Sequence, residues 1–511
     1  MSARVTSIHL GTPDHRQAMT CFTARSRMRL ALTMKLVLAL ALTGALVAWQ
    51  LFVPPIIGLA DQGDFLRLLG PLGFAPVPKG PEHKYWYVTR KFAQDPSYRQ
   101  PRFEQVTSGL IIARAALALN RFLGNPRTFD VTLFGFIHGT LFMLALARLF
   151  YVTRALRLYW LVWALTLLVM TDVGYVAYWN SLYTEPASCL WFLFLLAESI
   201  DLREPSPQGP STLQVLRWSI FALLCITARA PNAAFCLPLG VYGLSLARRC
   251  SDRQARFAAI GSVAAILIAG VLMYRSLLSA TRVTAFYNAI FYGILPSSTN
   301  PRSDLKALGL DPDYVRYSGT LAWSEGTGVA NGYLLNALQE KVNSLGMILF
   351  YLQRPEWSWR HVETMLPTYL SLRPEFCGNL DRSAGRPPGA RSEAIAIWSR
   401  FHERGLARIG IPLLAALVLA IVGGGLTLIL KRSLSVTVRR WTELAICLSA
   451  CCLAAFGFAA FGDAYDNTKH QYMFNLLLDT CLVFGFVAAV HYQTALQVPT
   501  DPALAPAGHS Y

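Results

Sequence analysis

Residues 410–430 read GIPLLAALVLAIVGGGLTLIL and contain no Asp, Glu, Lys or Arg. A helix of about 20 predominantly apolar residues is long enough to cross the hydrocarbon core of a bilayer. Similar apolar stretches recur along the 511-residue chain, which is 54% hydrophobic, only 15% charged and has a mean hydropathy of +0.38. The sequence therefore predicts an all-α polytopic membrane protein rather than a set of soluble domains.

The apolar stretches predict about ten membrane-spanning helices. The polar, basic residues 1–29 precede a first apolar stretch that is too long for the core of a signal peptide. We therefore expect a cytoplasmic N-terminal tail followed by a retained first span. The approximate ranges of the predicted spans are 30–57, 130–150, 158–178, 187–200, 214–228, 233–247, 257–278, 410–430, 441–461 and 471–491.

The distribution of basic residues predicts the orientation of these helices. If the N-terminus is cytoplasmic, both termini are, including the tail 493–511. Residues 60–129 then form a first external loop inside a transmembrane module that covers 30–278. Residues 279–408 form an external domain before a second module, 409–492. The connections on the cytoplasmic side are basic, as the positive-inside rule requires; they contain Arg154, Arg157, Arg203, Arg248, Arg249, Arg253, Arg256, Lys431, Arg432, Arg439 and Arg440.

Both external segments are expected to contain helices. Between Val106 and Phe122 the apolar side chains share one face, which predicts a helix lying at the membrane interface. The external domain has mixed polarity, many turn-forming residues and little strand-like alternation. We therefore expect it to be mostly helical. The residues on the shared face of the first helix are Leu110, Ala113, Leu117 and Phe122.

Neither the charge nor the cysteines indicate another class of protein. The net charge of +17 does not indicate a nucleic-acid partner, because the basic residues are spread through short connections that orient helices and contact anionic headgroups. The 10 cysteines fall mainly in apolar stretches without the spacing of metal ligands. We predict neither a disulfide framework nor a metal site.

Three short polar clusters each lie where an apolar stretch ends. They are residues 61–67 (DQGDFLR), 179–186 (WNSLYTEP) and 463–470 (DAYDNTKH). Charged side chains are costly inside a bilayer, roughly 2.5 to 3.5 kcal/mol each at the centre of a spanning helix. The predicted topology brings all three clusters to the external face, which favours a reaction site there.

The first cluster contains two carboxylates, Asp61 and Asp64. Three residues apart on a helix, they would share a face, and a carboxylate whose pKa is raised by burial can deprotonate a hydroxyl group. An alternative is purely structural. Asp61 could cap a short helix that ends at Gly70–Pro71, with Asp64 interacting favourably with the helix dipole.

The second cluster contains Glu185, a candidate substrate-binding residue, at the start of a span. Thr184 as the cap, Glu185 in the first turn and Pro186 beside it would also be an ordinary helix start. Asn180 and Tyr183 offer hydrogen-bonding groups that suit sugar hydroxyls.

Several cations at the predicted external face could hold a phosphate group. Lys469 and His470 lie at the lip of a span, where a lysine is a strong point charge for a lipid phosphate; alternatively, Lys469 anchors the helix by pairing with Asp466. Arg67 of the first cluster and Asp466 of the third are further candidate substrate-binding residues. Arg229, at the external end of a short span, could reach a phosphate or extend to the interface.

Two ionisable residues fall inside apolar stretches. Asp479 is a candidate functional group, or it pairs with a neighbouring helix. His138 is interpreted as a packed, hydrogen-bonded histidine.

The order of several short motifs indicates a family. The chain resembles polytopic bacterial glycosyltransferases of the GT-C superfamily, and most closely the glycan-biosynthesis hexose transferases (WsfD-like proteins). The motifs are 58–65 (GLADQGDF), 178–186 (YWNSLYTEP), 291–296 (FYGILP) with 308–311 (LGLD), 377–379 (CGN) with 387–389 (PPG), and 469–479 (KHQYMFNLLLD).

The resemblance implies transfer of a sugar from a polyprenyl-phosphate carrier on the outer side of the membrane. An acid in the first external loop usually serves as the base in this superfamily, and cations near the membrane lip hold the phosphate. Asp61 and Asp64 match that position. Many members pair their acids directly, whereas Gln62 and Gly63 separate them here, so the identity of the base stays open.

The sequence thus predicts an integral glycosyltransferase of the bacterial inner membrane, with a GT-C-like fold. Its partners would be the lipid bilayer, a lipid-linked hexose donor and a glycan or lipid acceptor. No cofactor is required for this function, and a divalent metal is compatible with it but not predicted. The main alternative is a transporter or flippase for a glycan precursor, which Asp479 and His138 favour. A membrane O-acyltransferase that uses His470 is a third alternative.

Overall fold

The computed structural model describes residues 15–77, 85–98, 107–203, 209–276, 279–324, 332–375, 377–431 and 433–496. The predicted tails up to residue 14 and from residue 497, and Arg432, lie outside these ranges. The α-helices are α1 (His15–Phe52), α2 (Leu66–Leu72), α3 (Gly109–Phe122), α4 (Thr132–Thr153), α5 (Tyr159–Met170), α6 (Val173–Val176), α7 (Glu185–Asp201), α8 (Thr212–Ile226), α9 (Cys236–Arg249), α10 (Arg253–Arg275), α11 (Ser279–Tyr287), α12 (Leu295–Ser297), α13 (Pro301–Ala307), α14 (Gly332–Lys341), α15 (Ser344–Leu352), α16 (Pro355–Tyr369), α17 (Ile397–Phe401), α18 (Ala407–Ile409), α19 (Ile411–Leu430), α20 (Val436–Gly462), α21 (Asn467–His470) and α22 (Tyr472–Leu496). Short 3₁₀ helices cover Pro96–Tyr98, Ala177–Asn180, Ala230–Phe235, Pro312–Tyr317 and Arg382–Ala384, and π-helical turns cover Asn288–Ile294 and His402–Leu406.

Among the described residues, 7 helices are long and apolar enough to cross a membrane. The polytopic, all-α class is therefore confirmed, whereas the prediction of about ten spans is not. An eighth span arises if two bent helices count as one, and the helix Thr212–Ile226 is apolar but shorter. The 7 candidate spans are Leu32–Phe52, Thr132–Thr153, Ala230–Arg249, Arg253–Arg275, Ile411–Leu430, Val436–Gly462 and Tyr472–His491.

The first span ends earlier than its apolar sequence predicts. Helix α1 ends at Phe52 rather than at residue 57, because Pro54 and Pro55 follow. A proline ring clashes with the preceding turn and removes a backbone donor, so the helix cannot continue. The chain from Ile56 onward is thereby free to form the loop that carries the first polar cluster.

The predicted span 158–178 is not one straight helix. Helix α5 and the segment Val173–Asn180 meet at an angle of 57°. Asp172 lies at the break, is fully buried, and accepts a hydrogen bond from Gly174 N–H at 2.8 Å. It also accepts one from Trp398 N–H at 2.8 Å. The acid therefore starts a second helix and ties it to the 397–401 helix, which a uniform apolar stretch would not do.

A small antiparallel sheet interrupts the helical pattern of the first loop. Its strands are β1 (Phe74–Val77), β2 (Lys91–Gln94) and β3 (Thr128–Asp130), in the order β1-β2-β3. Phe92 lies opposite Phe129 in the register, and their rings stack with centroids 4.9 Å apart. Strands of three or four residues are too short to show alternation, which explains why the sequence does not predict them.

The helix predicted in this loop forms, from Gly109 to Phe122, and its place at the membrane interface stays a prediction. Leu110, Ala113 and Leu117 are buried as predicted, but Phe122 is 87% exposed. Phe122 lies in the last turn and is rotated away from the packed face, so its assignment to that face was wrong.

The segment from 279 to 409 consists of short helices and loops in its described residues. The two largest hydrophobic clusters are one that runs through the spans and a smaller one built from the segment α11 to α15. In the main bundle α4 packs against α7, α10 against α8 and α9, and α20 against α19 and α22.

Charged residues collect at the two ends of this bundle. At one end, Arg148 and Arg217 both pair with Glu198 and Asp201, over distances of 2.8 to 3.1 Å. The basic connections lie at this end, and the three polar clusters lie at the opposite end of the same helices. Further contacts at the basic end are the Arg249–Glu443 ion pair and the hydrogen bond from Arg440 to the carbonyl of Arg203.

Candidate active site

The loop that carries the first polar cluster is held by backbone hydrogen bonds. Gly58 N–H donates to Asn379 O at 2.9 Å, and Ala60 N–H donates to Gly378 O at 3.0 Å. Gly378 lies so close to the carbonyl of Trp86 that a side chain there would clash with it, and glycine is the residue that permits such a close approach. The CGN motif therefore positions the first cluster.

Two predicted sugar-binding residues also hold this loop. Asn180 is fully buried, and its side-chain N–H groups donate to Leu51 O at 2.9 Å and Ile57 O at 2.8 Å. The hydroxyl of Tyr183 donates to Ala60 O at 2.8 Å and accepts from Gln62 N–H at 3.1 Å. The Asn180 side-chain N–H groups and the Tyr183 hydroxyl therefore hold the loop in place, and contact of these residues with a sugar stays a prediction.

Asp61 stabilises the turn in which it lies. Its Oδ1 atom accepts hydrogen bonds from Gly63 N–H at 2.6 Å and from Phe65 N–H at 3.1 Å. Helix α2 begins afterwards, at Leu66, and its first residues receive no side-chain cap. The Oδ1 atom of Asp61 therefore has a structural role, as the alternative interpretation expects. Asp61 caps the turn before helix α2, however, and not the helix itself.

Asp64 lies between two cations, Arg67, which is three residues further along the chain, and Lys469, which is 405 positions away. Its Oδ1 atom is 2.9 Å from Arg67 Nη2, and its Oδ2 atom contacts Lys469 Nζ. Lys469 is buried and also pairs with Asp466, with 2.9 Å between Nζ and Oδ2. Gln62 donates to the same Asp466 oxygen. The first and third polar clusters are therefore joined by ion pairs.

These ion pairs shift the pKa values of the groups. Burial raises the pKa of Asp64, but Arg67 and Lys469 outweigh burial and hold that pKa well below its usual range. Burial lowers the pKa of Lys469, yet Asp466 and Asp64 raise it above the usual value. Lys469 is thus a permanent cation. The pKa of Asp466 is raised, because its burial outweighs the attraction to Lys469.

The second cluster contributes a buried ion pair. Glu185 opens helix α7 with Pro186 beside it, as predicted, but the Thr184 side chain does not cap the helix. Glu185 Oε1 lies 3.0 Å from Arg229 Nη1, and both side chains are almost completely buried. The Arg229 nitrogens have no well-directed hydrogen-bond acceptor in the described part of the chain. Arg229 therefore does not extend to the surface.

His470 faces the third cluster's other acid. Its Nε2 atom is 3.8 Å from Asp463 Oδ2. Burial lowers the pKa of His470, and Lys469 and Arg229 lower it further, so the imidazole is neutral near pH 7. Burial raises the pKa of Asp463 to about 7. The sequence places Asp463 in the cluster without indicating a role for it.

Sequence reasoning missed one further residue at this site, Cys377. Cys377 Sγ lies 3.6 Å from Gln62 Oε1, and burial raises the pKa of its thiol to about 12. Cys377 is therefore a protonated neighbour of the ion pairs rather than a nucleophile. Its position in the CGN motif was visible, but its proximity to Gln62 depends on the fold.

The two ionisable residues inside apolar stretches both have partners. His138 Nδ1 is 2.9 Å from Trp179 O, as expected for a packed histidine. Asp479 accepts a hydrogen bond from Tyr175 OH at 2.7 Å and contacts His402. Among the described residues no group of three or more His, Cys, Asp or Glu side chains is arranged to hold a metal ion.

A bundle of apolar helices with a charged centre at one end defines a polytopic membrane protein. The chain belongs to the family of the YfdI N-terminal transmembrane domain, whose model matches residues 23–500. A search of curated proteins gives no match. This match does not show that the chain belongs to the hexose transferases whose motifs it resembles. That closer relationship stays a prediction.

Proposed function

We propose that this protein is a glycosyltransferase that moves a sugar, expected to be a hexose, from a polyprenyl-phosphate carrier to a glycan or lipid acceptor. The charged centre would lie at the extracytoplasmic face of the bacterial inner membrane, with both termini in the cytoplasm. Membership of the YfdI family, a GT-C-like family, supports this class of reaction.

The observation that carries the proposal is the set of cations at the helix ends. Arg67 and Lys469 lie against Asp64, and Arg229 is buried against Glu185 of the second polar cluster. A buried guanidinium whose nitrogens lack well-directed acceptors is costly. A phosphate would supply such acceptors, because its oxygens suit the fork of an arginine and the point charge of a lysine.

Donor binding would change the state of Asp64. When the phosphate attracts Lys469 and Arg67, Asp64 loses part of the interaction that depresses its pKa and becomes a better base. The acceptor hydroxyl then gives its proton to Asp64 while its oxygen bonds to the anomeric carbon. The bond between that carbon and the phosphate oxygen breaks, and its electron pair leaves with the polyprenyl phosphate.

Two effects would supply the acceleration. A positioned base typically contributes about 10² to 10⁴ in rate. Cations that are fixed before the reaction stabilise the charge on the leaving phosphate without reorganisation, and this is usually the larger effect. Asp61, in contrast, would maintain the turn that aims Asp64.

The test uses the full chain in proteoliposomes that contain a labelled polyprenyl-phosphate hexose. The acceptor is envelope glycan extracted from cells that lack the gene. The proposal expects label on the glycan with the wild-type protein and its loss with Asp64→Asn and Lys469→Gln. Movement of the labelled lipid across the bilayer without transfer would instead establish the transporter alternative.

A further inference from the structure

Three aromatic side chains form a group beside the charged centre, in which Trp323 and Tyr292 are exposed and Tyr465 is half-buried. Tyr465, in the turn between α20 and α21, has the Trp323 ring at 4.9 Å and an interplanar angle of 74°. The Tyr292 ring lies 6.2 Å from Tyr465 at 76°. Trp323 is 54% exposed and Tyr292 is 42% exposed. Their rings therefore present apolar surface outward rather than filling a core.

This aromatic group adjoins the ion pairs through one short segment. Tyr465 N–H donates to Asp463 Oδ1 at 3.0 Å, and Asp466 follows in the same turn and pairs with Lys469. The Asp463 side chain is 23% exposed. An acid that accepts hydrogen bonds thus lies at the junction of the aromatic group and the cations.

The charges separate this surface from the phosphate site. The cations Arg67, Arg229 and Lys469 lie around the buried acids, whereas the side chain that accepts the Tyr465 N–H hydrogen bond is the carboxyl of Asp463. A carboxyl group offers no positive charge to a phosphate, but it accepts hydrogen bonds from hydroxyls in either protonation state. A pyranose ring fits this combination, because its C–H face packs on aromatic rings while its hydroxyls project from the edge.

We propose that Trp323, Tyr292 and Tyr465 form the binding surface for a sugar ring of the acceptor glycan, with Asp463 accepting hydrogen bonds from its hydroxyls. This inference rests on the proposed glycosyl transfer and adds the place where the acceptor binds. The acceptor on this surface would approach the donor from the side of the 463–469 segment.

The experiment separates acceptor binding from transfer. Saturation-transfer NMR on the detergent-solubilised full chain measures binding of the extracted envelope glycan without any donor. Transfer assays in proteoliposomes then give separate KM values for the glycan and for the labelled polyprenyl-phosphate hexose. Trp323→Ala is the test variant, and Trp359→Ala is the matched control, since Trp359 is 55% exposed on the neighbouring helix α16.

The expected result is a rise of about tenfold in the glycan KM for Trp323→Ala, with less than about a twofold change in the donor KM. The NMR signal of the glycan should weaken in parallel, and Trp359→Ala should behave like the wild type. Trp323→Tyr, which keeps an aromatic face, should recover most of the affinity. Tyr292→Ala provides a second test if Trp323→Ala does not fold.

Other outcomes would overturn the inference. Aromatic residues also anchor membrane proteins at the interface; if both tryptophan variants lower thermal stability alike and the glycan KM is unchanged, Trp323 is such an anchor. Transfer with an unchanged glycan KM would leave the proposed reaction intact and remove the acceptor surface. Glycan binding that needs Trp323, in a protein that transfers no sugar, would keep the surface and remove the reaction.

Discussion

His402 Nε2 lies 2.7 Å from Asp479 Oδ1, and neither side chain is exposed to solvent. The other oxygen of Asp479 accepts from Tyr175 OH and from Trp398 Nε1–H, both at 2.7 Å. His402 Nδ1 is bound in turn to Leu370 O at 2.8 Å. The network joins the 397–406 segment to helix α22 and to the bent span. The buried Asp479 therefore has a structural explanation that does not require the transporter alternative.

The first prediction concerns this network. Asp479→Asn or His402→Ala should destabilise the protein by about 3 to 5 kcal/mol, because removing one partner of a buried pair leaves the other uncompensated. The loss of stability would be measured by heating the protein in detergent and monitoring its unfolding with size-exclusion chromatography. Asp313→Asn is the control, since Asp313 pairs with Arg302 at an exposed position. Unchanged stability in the Asp479 variant would mean that the pair does not hold the segment.

The second prediction separates stability from donor binding at Arg229 and Glu185. Each single change, Arg229→Gln or Glu185→Gln, leaves a buried charge without its partner and should lower thermal stability. The double variant should regain part of that stability, since two neutral amides remain. Its transfer activity should stay low, because the proposed phosphate contact of Arg229 is still missing.

A double-mutant cycle on unfolding temperature and on the donor KM measures both effects. If the double variant also regains the wild-type donor KM, Arg229 serves only as the structural partner of Glu185. Arg302→Gln, at an exposed ion pair, is the matched control for loss of an arginine.

The third prediction distinguishes the two aspartates of the first cluster. Asp64→Asn should reduce kcat by about 10² to 10⁴, because the amide cannot accept the proton. Asp61→Asn should retain most activity, since an amide oxygen can still accept from the backbone of Gly63 and Phe65. Asp61→Ala should lose those hydrogen bonds and about 0.5 to 2 kcal/mol of stability, as for other caps.

The measurement is the single-turnover rate with labelled lipid-linked hexose, together with thermal stability. Equal losses of rate in the two Asn variants would make Asp61 part of the proton transfer rather than a turn-stabilising residue.

The sequence predicts the helices better than it predicts the site. A span such as Ile411–Leu430 is visible because the bilayer demands a long apolar stretch whatever its neighbours are. The break at Asp172 was missed because it depends on Trp398 and Ser399, which are 226 and 227 residues away. The early end of α1 could have been predicted from Pro54 and Pro55.

The charged centre was predicted only through topology. Asp64 and Lys469 are separated by 405 positions, so a shared membrane face makes their contact plausible, whereas their spacing in the chain says nothing about it. Asn180 and Tyr183 illustrate the limit. Their hydrogen bonds to Leu51, Ile57 and Ala60 depend on the fold and could not be predicted from the sequence, whereas their binding to a sugar stays a prediction.

The last prediction concerns pH and Asp463. Burial raises the pKa of this carboxyl to about 7 in the folded protein from an ordinary value of 3.8, so between these values the folded chain holds a proton that the unfolded chain has released. Stability from this group therefore falls as the pH rises from about 4 to about 7 and is not regained above that.

Asp463→Asn stays neutral and should remove this slope, raising the unfolding temperature at pH 7.5 by roughly 2 °C or more relative to the wild type and by less at pH 5. Asp313→Asn, an exposed control, should keep the wild-type slope. His470 contributes with the opposite sign, because its pKa is lowered in the folded protein and stability from this group rises with pH up to its ordinary pKa of 6.5. The wild type and Asp463→Asn both keep His470, so the difference between their two profiles reports Asp463. Parallel pH profiles for the wild type and Asp463→Asn would show that the Asp463 carboxyl is ionised throughout.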